Sequence, residues 1–557
     1  MEDTKVATPL EGNGVSKVEG EKLDSGIKGE NLLQNGSGSA GSGVDPMDTS
    51  AVGTTTVIQL GSYVTRYGGP NFVTPKSMRT AVAFSRLANA PDKADDKTSE
   101  DDDMWSEETF DGTLDSIVTN ARMLSRRRGG GRPVPWAYRV EQLDTKAAEG
   151  EKVDAMTVVE DGAKVLVGNE AITVQNDKRY DVIEPIKAGR LNWEYRSKGA
   201  VRESLHILVK TVVQGSDSVI LILPEQATRS DVAEVVDLTF QVNGIQRVFV
   251  HHSSVAAAFG AGLSSCVVVD IGHSSGYVVC MEDGTAVADS RVKIPYGGRE
   301  VSAAIQVIAD QYCERDICEG IDDSDEEAVL VAVKEQLCDA SGEDNDSLAI
   351  TNVALKDNRN LRVSVGVGLR SVAVSGLFYP KLLQVLSGAP QKVAPAADDD
   401  DSKWFDSLVD DTARAARAAA ARPLGFFSTS SNPLPALDEA VEISLSRVVE
   451  GKPAEKKSEL KRFLGAVLLV GGSCKILNLG RVLEQRLRAI VESKWPDIDS
   501  KVVEVVVGEK DMDPSELAWK GGAVMAHTES SVDFYVHIDE WKAHSVRTLR
   551  EKAPFFW

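Results

Sequence analysis

The residues best placed to do chemistry lie in Leu263–Gly276, LSSCVVVDIGHSSG, where an apolar run ends on a carboxylate and breaks into a glycine-punctuated turn. Val267–Val269 read as a buried strand, with Asp270 where that strand leaves the core. Gly272 and Gly276 permit the tight backbone that turns successive N–H groups toward an anion. Such a turn cradles phosphate, and Asp270 beside it could hold a hydrated Mg²⁺. Alone, the same residues also fit an ordinary hairpin between buried strands.

Two further glycine turns flank this one. Upstream, TTVIQLGSYVTRYGG (Thr55–Gly69) reads as a strand, a turn at Gly61 and Ser62, and a second strand carrying Arg66. Downstream, VLLVGGSCKILNLG (Val467–Gly480) is a strand entering Gly471 and Gly472, followed by an amphipathic helix over Arg481–Glu492. The recurrence of strand, glycine turn and helix predicts an α/β chain.

Composition narrows the partners. The chain has 557 residues and a formal net charge of −23, which disfavours polyanion binding by the whole surface. Any DNA contact must therefore be local. Cys266, Cys280, Cys313, Cys318, Cys338 and Cys474 are scattered, mostly in apolar runs and without metal-ligand spacing, and read as reduced core residues. The histidines offer no metal site: His251 and His252 are adjacent, and His527, His537 and His544 lack a carboxylate or cysteine partner at ligand spacing. No apolar run approaches about 18 residues, so no membrane span is expected, and the start MEDTKVATPLEG has no apolar leader.

Residues 1–53, rich in Gly, Ser and charge, are expected to be disordered, and the folded core is expected over 54–557. One insertion spans 90–135: an acidic stretch carrying Trp105 and Phe110, then RRRGGGR. Arg126, Arg127, Arg128 and Arg132 could follow a phosphate backbone, act as a nuclear import signal, or form a solvated turn. A second insertion, 388–435, contains WFDSLVDDTARAARAAAAR, in which Trp404, Phe405, Leu408, Val409 and Thr412 fall at helical spacing ahead of Arg414, Arg417 and Arg422. This predicts an amphipathic helix that packs on its own lobe or docks a partner.

Two hairpin turns followed by a Gly-Gly turn resemble the actin/Hsp70-like superfold, in which two α/β lobes close over a nucleotide cleft. The resemblance narrows to the actin family at VLVGNEA (Val165–Ala171), EPIKAGRLNW (Glu184–Trp193), VKEQLC (Val333–Cys338), a helix beside the purine, AWKGGA (Ala518–Ala523), a last turn, and the tail helix Trp541–Trp557. It implies bound ATP or ADP, with any Mg²⁺ held through water by Asp270. Gly61, Ser62 and Arg66 would form the first phosphate loop, and Asp270, Gly272 and Gly276 the second. Lys334 and Glu335 would flank the purine, and Gly471 and Gly472 would let backbone approach the nucleotide.

Departures from the family pattern bear on activity. Gln59 stands where actins carry a metal-side Asp, and His273 replaces an Asp. Tyr277 replaces a water-organising His, and Ser253 falls at or near the Gln that orients that water. Losing placed polar groups costs phosphoryl transfer dearly, so little or no hydrolysis is expected. The runs Gln241–Ser265, PIKAGRLN, the segment ending PYGG, and LREKAPFFW resemble a nuclear branch of the actin-related proteins. That branch implies a scaffold in an Ino-eighty-type chromatin remodeller, beside nuclear actin and another actin-related protein. It implies contact with nucleosomes, histones and linker DNA, and with a helix of the remodeller ATPase in a groove bordered by the tail. The alternatives are an active hydrolase or kinase of this superfold and a filament-forming cytoskeletal protein.

Overall fold

The chain is described over residues 54–86, 136–143, 164–213, 215–341, 348–355, 359–386, 434–450, 455–507 and 512–553 of a computed structural model. The tail 1–53, the arginine run 126–132 and the helix expected within the second insertion lie outside these residues, as do the last four.

Thr55–Gln59 (β1) is β-branched in all but its last residue, which favours extended backbone, and its three middle residues are buried. It turns into Val64–Gly68 (β2), antiparallel to it, and then into Lys76–Arg79 (β3). On its other side β1 pairs in parallel with Ser218–Leu223 (β4), which pairs in parallel with Arg247–His252 (β5). Every residue of β4, SVILIL, is buried, as a strand covered on both faces requires. The helices Lys198–Val212 (α1) and Arg229–Phe240 (α2) precede and follow β4, and β5 runs directly into Ser253–Gly260 (α3). A capping box starts α2: Asp231 N donates to Thr228 Oγ1 at 3.2 Å, and Thr228 N donates back to Asp231 Oδ2 at 3.1 Å.

The second sheet repeats the plan. Cys266–Ile271 (β6) is antiparallel to Gly276–Glu282 (β7) and parallel to Val467–Val470 (β8), with the short strands Thr285–Ala286 and Val505–Val506 at its edges. In both sheets the central strand has its own hairpin partner on one side and a parallel strand on the other, and it runs out into a glycine turn. Gly298–Tyr312 (α4), Asp323–Ala332 (α5) and Leu479–Lys494 (α6) belong to this half, where one core cluster joins Val267, Val301, Val329 and Leu483. The expected helix after Gly472 is α6, longer than expected at both ends. VKEQLC does not continue α5 as regular α-helix; Val333–Leu337 is a single π-helical turn.

AWKGGA is part of a full helix, Leu517–Ala526 (α7), rather than a last turn. It crosses α3 backbone to backbone: a Cβ on Gly521 would stand 1.6 Å from Ala256 O, and one on Gly260 would stand 2.3 Å from Leu517 O. This crossing lies in a core layer between the sheets that contains Val57 and Ile222 of the first with Val268 and Leu468 of the second. The tail is two short helices, Ile538–His544 and Val546–Lys552, separated at Ser545, whose φ is +48°. Trp541 seats them on α2 by stacking on Phe240 and donating Nε1–H to Asp237 Oδ1 at 3.1 Å.

One strand is an unexpected crossing. Val82–Ser85 pairs with Val165–Val167 and Tyr180–Ile183 in the first half. Between these segments, Ala137–Leu143 pairs on one side with Glu314–Ile317 and on the other with Asn360–Val365, as an inner strand of a four-stranded sheet. Tyr138 and Val140 are buried in the second half's core. The strand that follows the first insertion in the sequence is therefore used by the opposite half.

Candidate functional site

The two hairpin turns and the turn after β8 open onto one cavity of about 280 Å³. Gly61, Ser62 and Arg66 line it from the first sheet, Asp270 and Gly272 from the second, Gly471 and Gly472 from the third turn, and Lys334 and Glu335 from the π-helical turn. Gln59, Ser253, His273 and Tyr277 face the same space. Gly276 does not. It is the first residue of β7, where a Cβ would stand 2.5 Å from Asp270 O, so this glycine lets the hairpin close. Gly471 has φ +100°, and a Cβ there would meet Asp270 Oδ1 at 2.5 Å; only glycine lets the third turn approach the carboxylate.

The side chain of Arg66 on β2 has no hydrogen bond or ion pair to another described residue. Burial pushes its pKa down, against the raising fields of Asp513, Glu516, Asp270 and Glu335. It is a largely buried cation directed at the cavity, which suits an anionic ligand. Burial pushes the Asp270 carboxyl up to about 7, although a hydrogen bond from Tyr277 and the nearby Arg66 both favour its ionised form. The Tyr277 hydroxyl also pairs with Ser253 Oγ at 2.8 Å, so these two cleft hydroxyls satisfy one another.

Of the side chains that depart from the family pattern in this cavity, Gln59, Ser253, His273 and Tyr277, none titrates near neutrality. Gln59 offers an amide whose Oε1 is buried without a hydrogen-bond partner. Burial, with the cations Lys334, Arg299 and Arg79, drives the His273 pKa down to about 3, so its ring is neutral. Burial raises the Tyr277 phenol well above its ordinary value. Asp270 is left as the group able to hold a proton near neutrality, and the residue whose removal tests any turnover.

Lys334 and Glu335, expected to flank a purine, are engaged within the protein. Lys334 Nζ donates to Gly298 O and to Ser302 Oγ, both at 3.1 Å. Glu335 pairs with Lys475 at 3.5 Å, and Lys475 reaches Asp513 at 2.9 Å. Sequence reasoning passed over Lys475, which lies three residues beyond Gly472.

It also passed over the tip of PIKAGRLN. Ile186–Lys187 and Arg190–Leu191 form a small hairpin whose tip residues, Ala188 and Gly189, have φ of +50° and +78°, the primed-turn geometry. Its two N–H groups reach both phosphate-type turns: Gly189 N donates to Ser62 Oγ at 2.9 Å and Ala188 N to Ser274 Oγ at 3.2 Å. The PYGG segment supports the second turn from behind, with Gly298 N donating to Gly272 O at 3.0 Å and Arg299 N to His273 O at 2.6 Å.

The residues fit a nucleotide phosphate chain: a largely buried arginine, an unpartnered buried amide oxygen at Gln59, and a glycine cradle at Gly471. For a cation the fit is limited to a hydrated Mg²⁺. Among the described residues no three His, Cys, Asp or Glu side chains cluster as a metal cage, and Asp270 faces the phosphate-type turns with an amide beside it.

The model of the actin family matches residues 51–347. Actin-related protein 8 of Bos taurus is 26% identical over 470 residues, covering 70% of this chain and 74% of the relative. Actin-related protein 8 of Aedes aegypti is 27% identical over 454 residues, covering 71% and 77%. A solved structure described as human actin-related protein Arp8 in its ATP-bound state superimposes with a TM-score of 0.65 at 22% identity, covering 92% of this chain and 99% of that one. That likeness establishes the α/β fold.

Proposed function

The chain belongs to the actin family, and from that premise we propose that it is a nuclear actin-related scaffold subunit of an Ino-eighty-type chromatin remodeller that holds ATP or ADP as a structural ligand with little or no hydrolysis. The observation that carries the nucleotide half of this reading is the cleft itself, where Arg66 and Asp270 face one cavity while Tyr277 and Ser253 are hydrogen-bonded to each other. Arg66 would bind phosphate, Gly471 and Gly472 would admit the backbone to it, and Asp270 would hold a hydrated Mg²⁺ whose charge offsets the phosphates. The side chains replacing the family's catalytic set are an amide, a neutral imidazole and two hydroxyls bonded to each other, which favours retention of the nucleotide over its hydrolysis. The scaffold half rests on relatives named actin-related protein 8. The proposed partners are the remodeller ATPase helix, nuclear actin, another actin-related protein, and nucleosomal histones with linker DNA.

For the nucleotide, saturating ATP should raise the unfolding temperature, since a ligand at a hundred times its Kd stabilises by about 2.7 kcal/mol. Arg66→Ala is expected to weaken ATP and ADP binding by about 10- to 100-fold, the effect of losing a charge-assisted contact. Phosphate release should stay below about one per minute, far under the usual enzyme range. Faster turnover that disappears in Asp270→Ala would make the protein a hydrolase instead.

For the scaffold, the full chain should capture remodeller subunits from nuclear extract, with crosslinks to an amphipathic helix beside the tail helices. Recovery of no remodeller subunit would end that reading. Linker DNA retention by an Arg126→Ala, Arg127→Ala, Arg128→Ala variant, measured over a salt series, tests the arginine run. Each lost phosphate contact should flatten the log–log slope by about 0.9, and an unchanged slope would remove the run from the DNA contact.

A further inference from the structure

Tyr63 follows Ser62 in the turn between β1 and β2, and His273 follows Gly272 in the turn between β6 and β7, so each ring belongs to a different half of the protein. The rings stack at 4.2 Å between centres, with 22° between their planes. The Arg79 guanidinium lies 3.6 Å from the Tyr63 ring centre, which leaves the imidazole room only on the other face. Glu327 on α5 then accepts hydrogen bonds from Tyr63 Oη and from an Arg79 guanidinium nitrogen, both at 3.0 Å. The neighbours of Glu327 along α5, Val329 and Leu330, are buried in the core cluster that holds Val267 and Val269. Tyr63 is thus held by its face and by its hydroxyl to the half opposite its own. His273 stays neutral, so stacking brings no added charge onto Arg79.

We propose that Tyr63 and His273 form a clasp that holds the two phosphate-type turns to each other through protein contacts alone, so that a nucleotide enters a pocket already closed instead of drawing the halves together. The Ala188–Gly189 tip reinforces the clasp through Ser62 and Ser274. Only the identity of the guest rests on the nucleotide reading above; the clasp stands on its own contacts.

Hydrogen exchange of the full chain, stripped of nucleotide with apyrase and chelator, tests it. Peptides over Leu60–Tyr63 and Gly272–Ser275 should already be protected, with saturating ATP slowing them by no more than about twofold. Tyr63→Ala should speed exchange about tenfold or more in both turns, including the one it does not belong to, while β4 stays protected as the control for folding. His273→Phe, which keeps a ring in the stack, should keep the wild-type protection of both turns in the absence of nucleotide. Wild-type turns that exchange freely until ATP is added would overturn the proposal, and so would a Tyr63→Ala effect confined to its own turn. If ATP changes nothing in any variant while Tyr63→Ala loosens both turns, the clasp stands and the nucleotide reading falls.

Discussion

Gly521→Ala is expected to destabilise the protein by about 3 kcal/mol or more, the upper end of what overpacking costs, because nothing near the new methyl can yield. The Cβ would stand 1.6 Å from Ala256 O and 2.4 Å from Ala256 C, both backbone atoms of α3, so no side chain can rotate out of the way. The helices α3 and α7 would have to separate. That separation opens the core layer where Val57 and Ile222 meet Val268 and Leu468. Gly472→Ala is the matched control: a Cβ there meets nothing within 4 Å, and the change should stay within about 0.5 kcal/mol. Urea midpoints for the two variants decide the matter, and a wild-type midpoint for Gly521→Ala would contradict the backbone crossing.

Arg291→Met is expected to cost about 3–5 kcal/mol, the penalty for stranding a buried charge. Glu225, fully buried, accepts from Arg291 Nε at 2.5 Å and from Ser254 Oγ at 2.5 Å, with His252 Nδ1 at 3.6 Å. The pair joins the segment just after β4 to the second half. Glu225→Met together with Arg291→Met should recover much of the loss, because the carboxylate that the single change strands is no longer there. Acid dependence carries the same signature. Burial alone would raise the Glu225 pKa, but His252, Arg291 and Ser254 outweigh it and hold the carboxyl at about 2, against an ordinary 4.5. A carboxylate whose folded pKa is depressed binds fewer protons folded than unfolded at intermediate pH. Its stabilisation is therefore complete above about pH 4.5 and is lost as pH falls toward about 2. Unfolding free energies measured across that window should fall more steeply for wild type than for Glu225→Gln; parallel curves would show that Glu225 gains nothing from its partners.

The three strand-and-turn units were legible because strands covered on both faces read as unbroken apolar runs, and because glycine marks where the chain must turn sharply. That was enough to bring Arg66, Asp270 and the paired glycines to one cavity. Gly276 closes the hairpin without lining the cavity, a distinction the sequence left open because a glycine that lets a hairpin close and one that admits a ligand look alike in one dimension. AWKGGA entered only as resembling the last turn of actins, and nothing in the run itself says that Gly521 is where α7 meets α3. The clasp between Tyr63 and His273 was not legible, since each sits in a turn whose local pattern says nothing of the other. Ala137–Leu143 alternates buried and exposed residues over part of its length, as a strand should, but it lies among charged segments, and its two partners are far along the chain.

That strand constrains the order in which the molecule can be made. Ala137–Leu143 emerges during synthesis well before Glu314–Ile317 and Asn360–Val365, and until both exist it has two open edges and an apolar face carrying Tyr138 and Val140. Contacts of such sequence separation form late, and an edge left waiting is a template for wrong pairings. The halves therefore cannot mature one after the other as independent folding units. The N-terminal half must hold back a piece it does not use, and the C-terminal half is incomplete until that piece arrives, so the nascent chain depends on whatever shields this one strand through the intervening stretch of translation.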